Sequence, residues 1–167
     1  MQRGRSLATS RRGVVVPLSP VEAWDVVASG RTGTQWYVDA LPFAFRRTVD
    51  RLALGPALRL PPPGRDRLAA GDRVGFWDVV RADHRARELE LEARVRAPGT
   101  VRLAAGVTPY DGEGGGSLVA LAVTFDPRGL LGHAYRLADL PAREVVVEMV
   151  ALHLSVVCRR RAVQTGA

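Results

Sequence analysis

Residues 88–96 read Glu88-Leu89-Glu90-Leu91-Glu92-Ala93-Arg94-Val95-Arg96, an apolar side chain at every second position with a charge between. Successive side chains of an extended strand point to opposite faces of a sheet, so this run has one covered face and one in water, as antiparallel strands do. Pro98-Gly99 suits the centre of a tight turn, and beyond it Val101, Leu103, Ala105 and Val107 alternate with Arg102, Ala104, Gly106 and Thr108. The glycine-rich run Asp111-Gly112-Glu113-Gly114-Gly115-Gly116 then forms a loose hairpin tip before a strand from Leu118 to Phe125. Four strands follow in sequence from Gly71, and connections this short require antiparallel pairing.

Helical signals flank this meander. Upstream, Val14 to Leu18 is a short strand, and Ser19-Pro20-Val21-Glu22 opens a helix with Ser at the N-cap, Pro at the first position and Glu at the third. Gly33-Thr34-Gln35-Trp36-Tyr37 reads as an aromatic-bearing loop. Pro42 begins a helix whose Phe45, Val49 and Leu52 lie on one stripe, Gly55-Pro56 ends it, and Pro61-Pro62-Pro63-Gly64 is a rigid connector. Downstream, Pro141 starts the longest helical pattern, running to about Arg161. On a wheel of about 100° per residue, Glu144, Glu148, Ser155 and Arg159 share one sector, with Val146, Met149, Val150 and Val157 opposite and His153 in the middle of that apolar set. The expected fold is α+β, a curved antiparallel sheet wrapped around a long C-terminal helix, as one domain over 13–162 between a flexible basic segment, 1–12, and a frayed end, 163–167.

At 167 residues with 47% hydrophobic and 25% charged side chains, the chain is long enough for one domain with a real core and too short for a multidomain enzyme. The formal charge of +7 comes from its ends: Arg3, Arg5, Arg11 and Arg12 at the start and Arg159 to Arg161 near the end make seven, while the body balances 17 arginines against all 17 acids. No basic face for a nucleic acid is implied. All 24 basic residues are Arg, so Schiff-base and P-loop lysine chemistry are excluded. Apolar runs fall well short of the roughly 20 residues that span a bilayer. Arg11-Arg12 resembles a twin-arginine export signal, but the apolar stretch behind it stops at Pro17, so a cytoplasmic location is expected. Cys158 is the single cysteine, which suits a reducing compartment, and its place near a helix C-terminus opposes a thiolate.

A more specific set of residues is Gly71-Asp72 with Phe76-Trp77-Asp78-Val79, Pro98-Gly99, Phe125-Asp126-Pro127-Arg128-Gly129-Leu130-Leu131-Gly132, Tyr135 and Pro141. Over about residues 20–155 it resembles an uncharacterised bacterial family of START-like, polyketide-cyclase-like architecture, often fused behind NAD(P)-binding short-chain dehydrogenase domains. The resemblance implies the helix-grip fold and a ligand-holding cavity. It departs from the family pattern at Tyr135-Arg136, where relatives have Tyr-Trp, and at Pro141-Ala142-Arg143, where they have Pro-x-His. Roles of that Trp and His therefore do not transfer.

The candidate acid–base residues are His153 and Asp78. His153 is either a neutral core histidine bonded to a backbone carbonyl or an imidazole facing a cavity, where it would orient a ligand carbonyl or shuttle a proton. Asp78 is either an inward carboxylate able to pair with that imidazole or an outward residue near a strand edge. Trp36, Tyr37, Trp77 and Tyr135 are read as an aromatic wall for a flat apolar ligand or as plain core; Leu103, Phe125, Val146, Met149 and Val150 line the same space. Arg128 either clamps a ligand carboxylate or holds its turn. The three histidines are well separated and have no Cys cluster beside them, so no metal is expected; no Gly-x-Gly-x-x-Gly is present, and no cofactor is expected. Three functions compete: an enzyme of the polyketide cyclase or dehydratase kind, a carrier of an apolar small molecule, and an accessory module. The partners considered are that ligand, a second copy of the chain and a dehydrogenase.

Overall fold

The structure is a computed structural model that describes residues 9–33, 35–39, 60–94, 99–127 and 129–166, excluding the side chains of 38–39, 127 and 129–143. Its elements are β1 (Thr9–Val16), α1 (Pro20–Val27), β2 (Ser29–Gly30), α2 (Trp36–Asp39), β3 (Arg65–Arg67), β4 (Arg73–Val74), β5 (Trp77–Asp83), β6 (Glu88–Ala93), β7 (Gly99–Pro109), β8 (Ser117–Pro127) and α3 (Gly129–Thr165). Six strands form one antiparallel sheet in the order β1-β8-β7-β6-β5-β4, and β2 and β3 pair separately. With α3 against its inner face, this is the helix-grip, START-like arrangement.

The alternation that identified β6 sets which face is inside. Leu91, Leu103, Val123 and Ser10 form one cross-strand row on the inner face, and Leu89, Ala105, Leu121 and Arg12 form the next. Every apolar member of these rows is buried, whereas Glu92, Arg102 and Thr124 lie in an outer row. Each well-buried Leu or Val contributes about 1.5–3 kcal/mol of transfer free energy, so this face dominates the stability of the sheet.

The start of α1 follows its local chemistry. Ser19 accepts a hydrogen bond from the Glu22 N–H at 3.3 Å, and Glu22 accepts from the Ser19 N–H at 3.0 Å and from its hydroxyl at 2.6 Å, a complete capping box. The buried Trp24 on this helix donates its indole N–H to His84 Nδ1 at 3.3 Å, anchoring α1 to the turn between β5 and β6.

Several sequence expectations change. β1 begins at Thr9 rather than Val14 and pairs with β8 over eight residues, so 9–12 are sheet, not a flexible segment. Ser10 and Arg12 face inward there, and a polar inward row hides the strand from a search for apolar alternation. Trp36–Asp39 is a turn of helix rather than loop. The terminal helix starts at Gly129 and continues through Pro141; Leu130, Leu131, Ala134, Leu137, Ala138 and Leu140 are strong helix formers, and a single proline does not outweigh them. The helix expected from Pro42 and the Pro98 turn lie outside the described residues. No helix is long and apolar enough to cross a membrane among the residues described.

Candidate functional site

The orientation of α3 decides what can face the space it covers. The helix packs chiefly on β1 and β8, and a pair of ion pairs shows its roll. Arg12, on the inner face of β1, donates from Nε to Glu148 at 2.6 Å and from Nη2 to Glu144 at 3.1 Å. The glutamate sector is therefore turned toward the edge strand instead of away from the protein. The buried face consists of Val146, Val147, Val150, Ala151, Leu154, Cys158 and Ala162, and its centre lies roughly a quarter turn from the face the wheel indicates. His153 accordingly sits at the margin of the buried face, not at its middle.

His153 is half-buried, and its Nε2 is buried without a hydrogen-bond partner. A second such atom is the hydroxyl of Ser10, 2% exposed on the inner face of β1. Buried polar groups are almost always paired, and leaving one unpaired costs about 1–3 kcal/mol, so these two atoms mark positions where a further group would be stabilising. Nothing in the sequence indicates Ser10 except its place opposite the apolar Val123, visible only once β1 is paired.

The third buried atom without a hydrogen-bond partner among the described residues is Asp78 Oδ1, but Asp78 does not face the other two. It pairs across the sheet with Arg73 and with Glu92, in the outer row, and its side chain is 41% exposed beside Arg73 at 3.5 Å and Arg94 at 3.6 Å. The inward alternative fails because β4 and β5 are separate strands joined at Gly75-Phe76, and Gly75 has φ +58°. The turn breaks the phase that would place buried Val74 and Asp78 on one face.

Three of the four aromatic residues are hydrogen-bonded to the frame of the protein. The indole of Trp36 donates to the Val27 carbonyl at 3.0 Å, the Tyr37 hydroxyl to the Ser29 carbonyl at 2.6 Å, and the indole of Trp77 to the Tyr37 carbonyl at 2.8 Å. All three side chains are buried, and their polar atoms bind α2 to α1, β2 and β5. Leu103, Val146 and Val150 belong to the central core cluster, Phe125 is buried beside it, and Met149 is half-buried. Arg128 and the side chain of Tyr135 lie outside the described residues. Cys158 is buried, and desolvation pushes its thiol up to about 12, so it is no nucleophile.

A hollow of about 610 Å³ lies on the opposite, outer face of the sheet. Its floor is made by Gly13, Ala104, Gly106, Ala120 and Ala122, small side chains on three adjacent strands, and its rim includes Arg11, Arg81, Glu88 and Glu90. On the rim Arg81 pairs with Glu88 at 2.8 Å, Glu90 pairs with Arg102 outside the hollow at 3.5 Å, and no floor side chain carries a polar group. It offers little to orient a ligand.

No curated protein matches the chain. Among solved structures, a protein of Rhodobacter sphaeroides is similar at 17% identity and a TM-score of 0.52, covering 92% of this chain and 93% of that one. A Thermus thermophilus protein has 12% identity and a TM-score of 0.47 over 95% and 99% of the two chains, and Ara h 8.0201 has 11% and 0.42 over 87% and 96%. The first of these likenesses supports the fold alone. Residues 5–150 match the family described as Protein of unknown function (DUF2867), and the chain belongs to that family.

Proposed function

We propose that the protein binds an apolar small molecule between the sheet and α3, with the imidazole of His153 as its polar anchor. The observation that carries this is the buried, unpartnered Nε2 of His153 at the edge of an otherwise apolar helix face. A guest carbonyl or hydroxyl meeting that nitrogen would remove the cost of leaving it unpaired, while Val146 and Met149 on the same flank supply apolar contact. The Ser10 hydroxyl, also unpartnered, is a second place for a polar group of the guest.

Binding is favoured over acid–base turnover because Asp78, the carboxylate considered as a partner for His153, is held by two arginines on the outer face. A proton transfer by His153 alone remains the enzymatic form of the same site, as in a cyclisation or dehydration of a polyketide-like chain. The accessory role beside a dehydrogenase rests on the resemblance alone.

The test is titration with an amphiphilic fluorescent probe, 1-anilinonaphthalene-8-sulfonate, followed by displacement with fatty acids and aromatic polyketides. Saturable binding of one probe per chain, weakened about tenfold in His153→Phe with an unchanged melting temperature, is expected. Absence of saturable binding would reject the cavity reading and favour the accessory one.

A further inference from the structure

The outer face of α3 carries a second apolar stripe. Val145, Leu152, Val156 and Val163 are 52%, 59%, 45% and 83% exposed. Their spacings of seven, four and seven residues bring them onto one narrow line, opposite the face packed on the sheet. A surface helix with one covered face has no need of this line, and charged residues ordinarily occupy it.

The stripe is self-complementary. Val145 and Val163 are symmetric about residue 154, and so are Leu152 and Val156. The flanking charges are distributed the same way: Glu148 stands beside the first half of the stripe, while the exposed Arg159 stands on the same flank beside the second half, with no ion-pair partner among the described residues. Two such helices packed antiparallel about a two-fold axis at residue 154 set Val145 against Val163 of the partner subunit and Leu152 against Val156 of the partner subunit. Glu148 then meets Arg159 of the partner subunit, twice per pair. In a parallel pairing the two-fold would carry this flank to the opposite side of the interface, and the Glu148–Arg159 pairs would be lost.

From this symmetry of apolar and charged positions we infer that α3 is the interface of an antiparallel homodimer, with Leu152 and Val156 at its centre. The contact is isologous, the commonest kind among soluble oligomers, and it leaves the inner face of α3 and His153 unchanged. The inference is independent of the ligand reading.

Sedimentation velocity of the full chain tests it, with a mass of twice 18.1 kDa expected. Leu152→Glu should give the single-chain mass with an unchanged circular dichroism spectrum, because the side chain is exposed within one protomer. Arg159→Glu should weaken the dimer about tenfold, since it converts two attractive pairs into two repulsive ones. The axis is checked with a short bismaleimide: Ser155→Cys, near the two-fold, should cross-link to itself, and Val163→Cys, about 27 Å from its own copy at 1.5 Å per residue, should not. A single-chain mass at every concentration overturns the inference. Self-linking of Val163→Cys without Ser155→Cys overturns the antiparallel axis.

Discussion

The roll of α3 is tested by comparing Leu154→Ala with Val157→Ala. Leu154 is fully buried at the centre of the face packed on β1 and β8, so truncation removes the transfer energy of its lost carbons and leaves a cavity. Such substitutions cost about 2–5 kcal/mol, and about 3 kcal/mol is a fair figure for a site walled by a sheet that cannot collapse inward. With an unfolding entropy of about 2.1 cal/mol/K per residue, a chain of 167 residues has roughly 0.35 kcal/mol/K, so the melting temperature falls by about 9 °C. Val157 belongs to the centre of the apolar sector on the sequence wheel but is only half-buried, and its truncation should cost less than about 1 kcal/mol. Differential scanning calorimetry on both variants reads the ratio directly. A larger loss for Val157→Ala than for Leu154→Ala would refute this roll and return His153 to the middle of the covered face.

Three further perturbations have defined outcomes. Tyr37→Phe removes the hydroxyl that bonds the Ser29 carbonyl and should lower stability by about 1–2 kcal/mol without changing probe affinity; unchanged stability with lost binding would put Tyr37 in the ligand site. Bonds from the Ser19 hydroxyl and backbone hold the Glu22 carboxyl below its ordinary range, and the Ala86 N–H does the same for Asp83. Because both folded values are lowered, their contribution is fully present above the unfolded values of about 4 and lost as pH falls through the folded ones. Urea denaturation from pH 7 to 2 should show this loss, with a shallower acid slope in Glu22→Gln and Asp83→Asn; slopes equal to that of the parent would contradict it. Cys158, with its thiol near 12 and buried, should react with a disulfide reagent at pH 8 only as fast as the protein unfolds, and fast labelling of the native chain would show the helix face open.

What could be read in the sequence was whatever a strand or helix end decides locally. Leu89 and Leu91 alternate with glutamates because one face of β6 is wet, and Ser19 and Glu22 cap α1 through bonds three residues apart. The candidate site depends on long-range partners and is less legible in the sequence. The roll of α3 turns its glutamates to Arg12, 132 and 136 residues away in the chain, whereas a wheel treats those glutamates as solvent-facing. Asp78 was ambiguous because the turn at Gly75-Phe76 shifts the strand phase, and Ser10 was invisible because its row on β1 is polar. Trp36, Tyr37 and Trp77 look alike as wall or core until their hydrogen-bond acceptors are seen.

The most direct measurement of the central claim is native mass spectrometry of the freshly purified protein. An apolar guest should appear as a discrete added mass that disappears on unfolding and is reduced in His153→Phe. The bare chain mass in every gentle condition, unchanged after incubation with fatty acids or aromatic polyketides, would contradict the account.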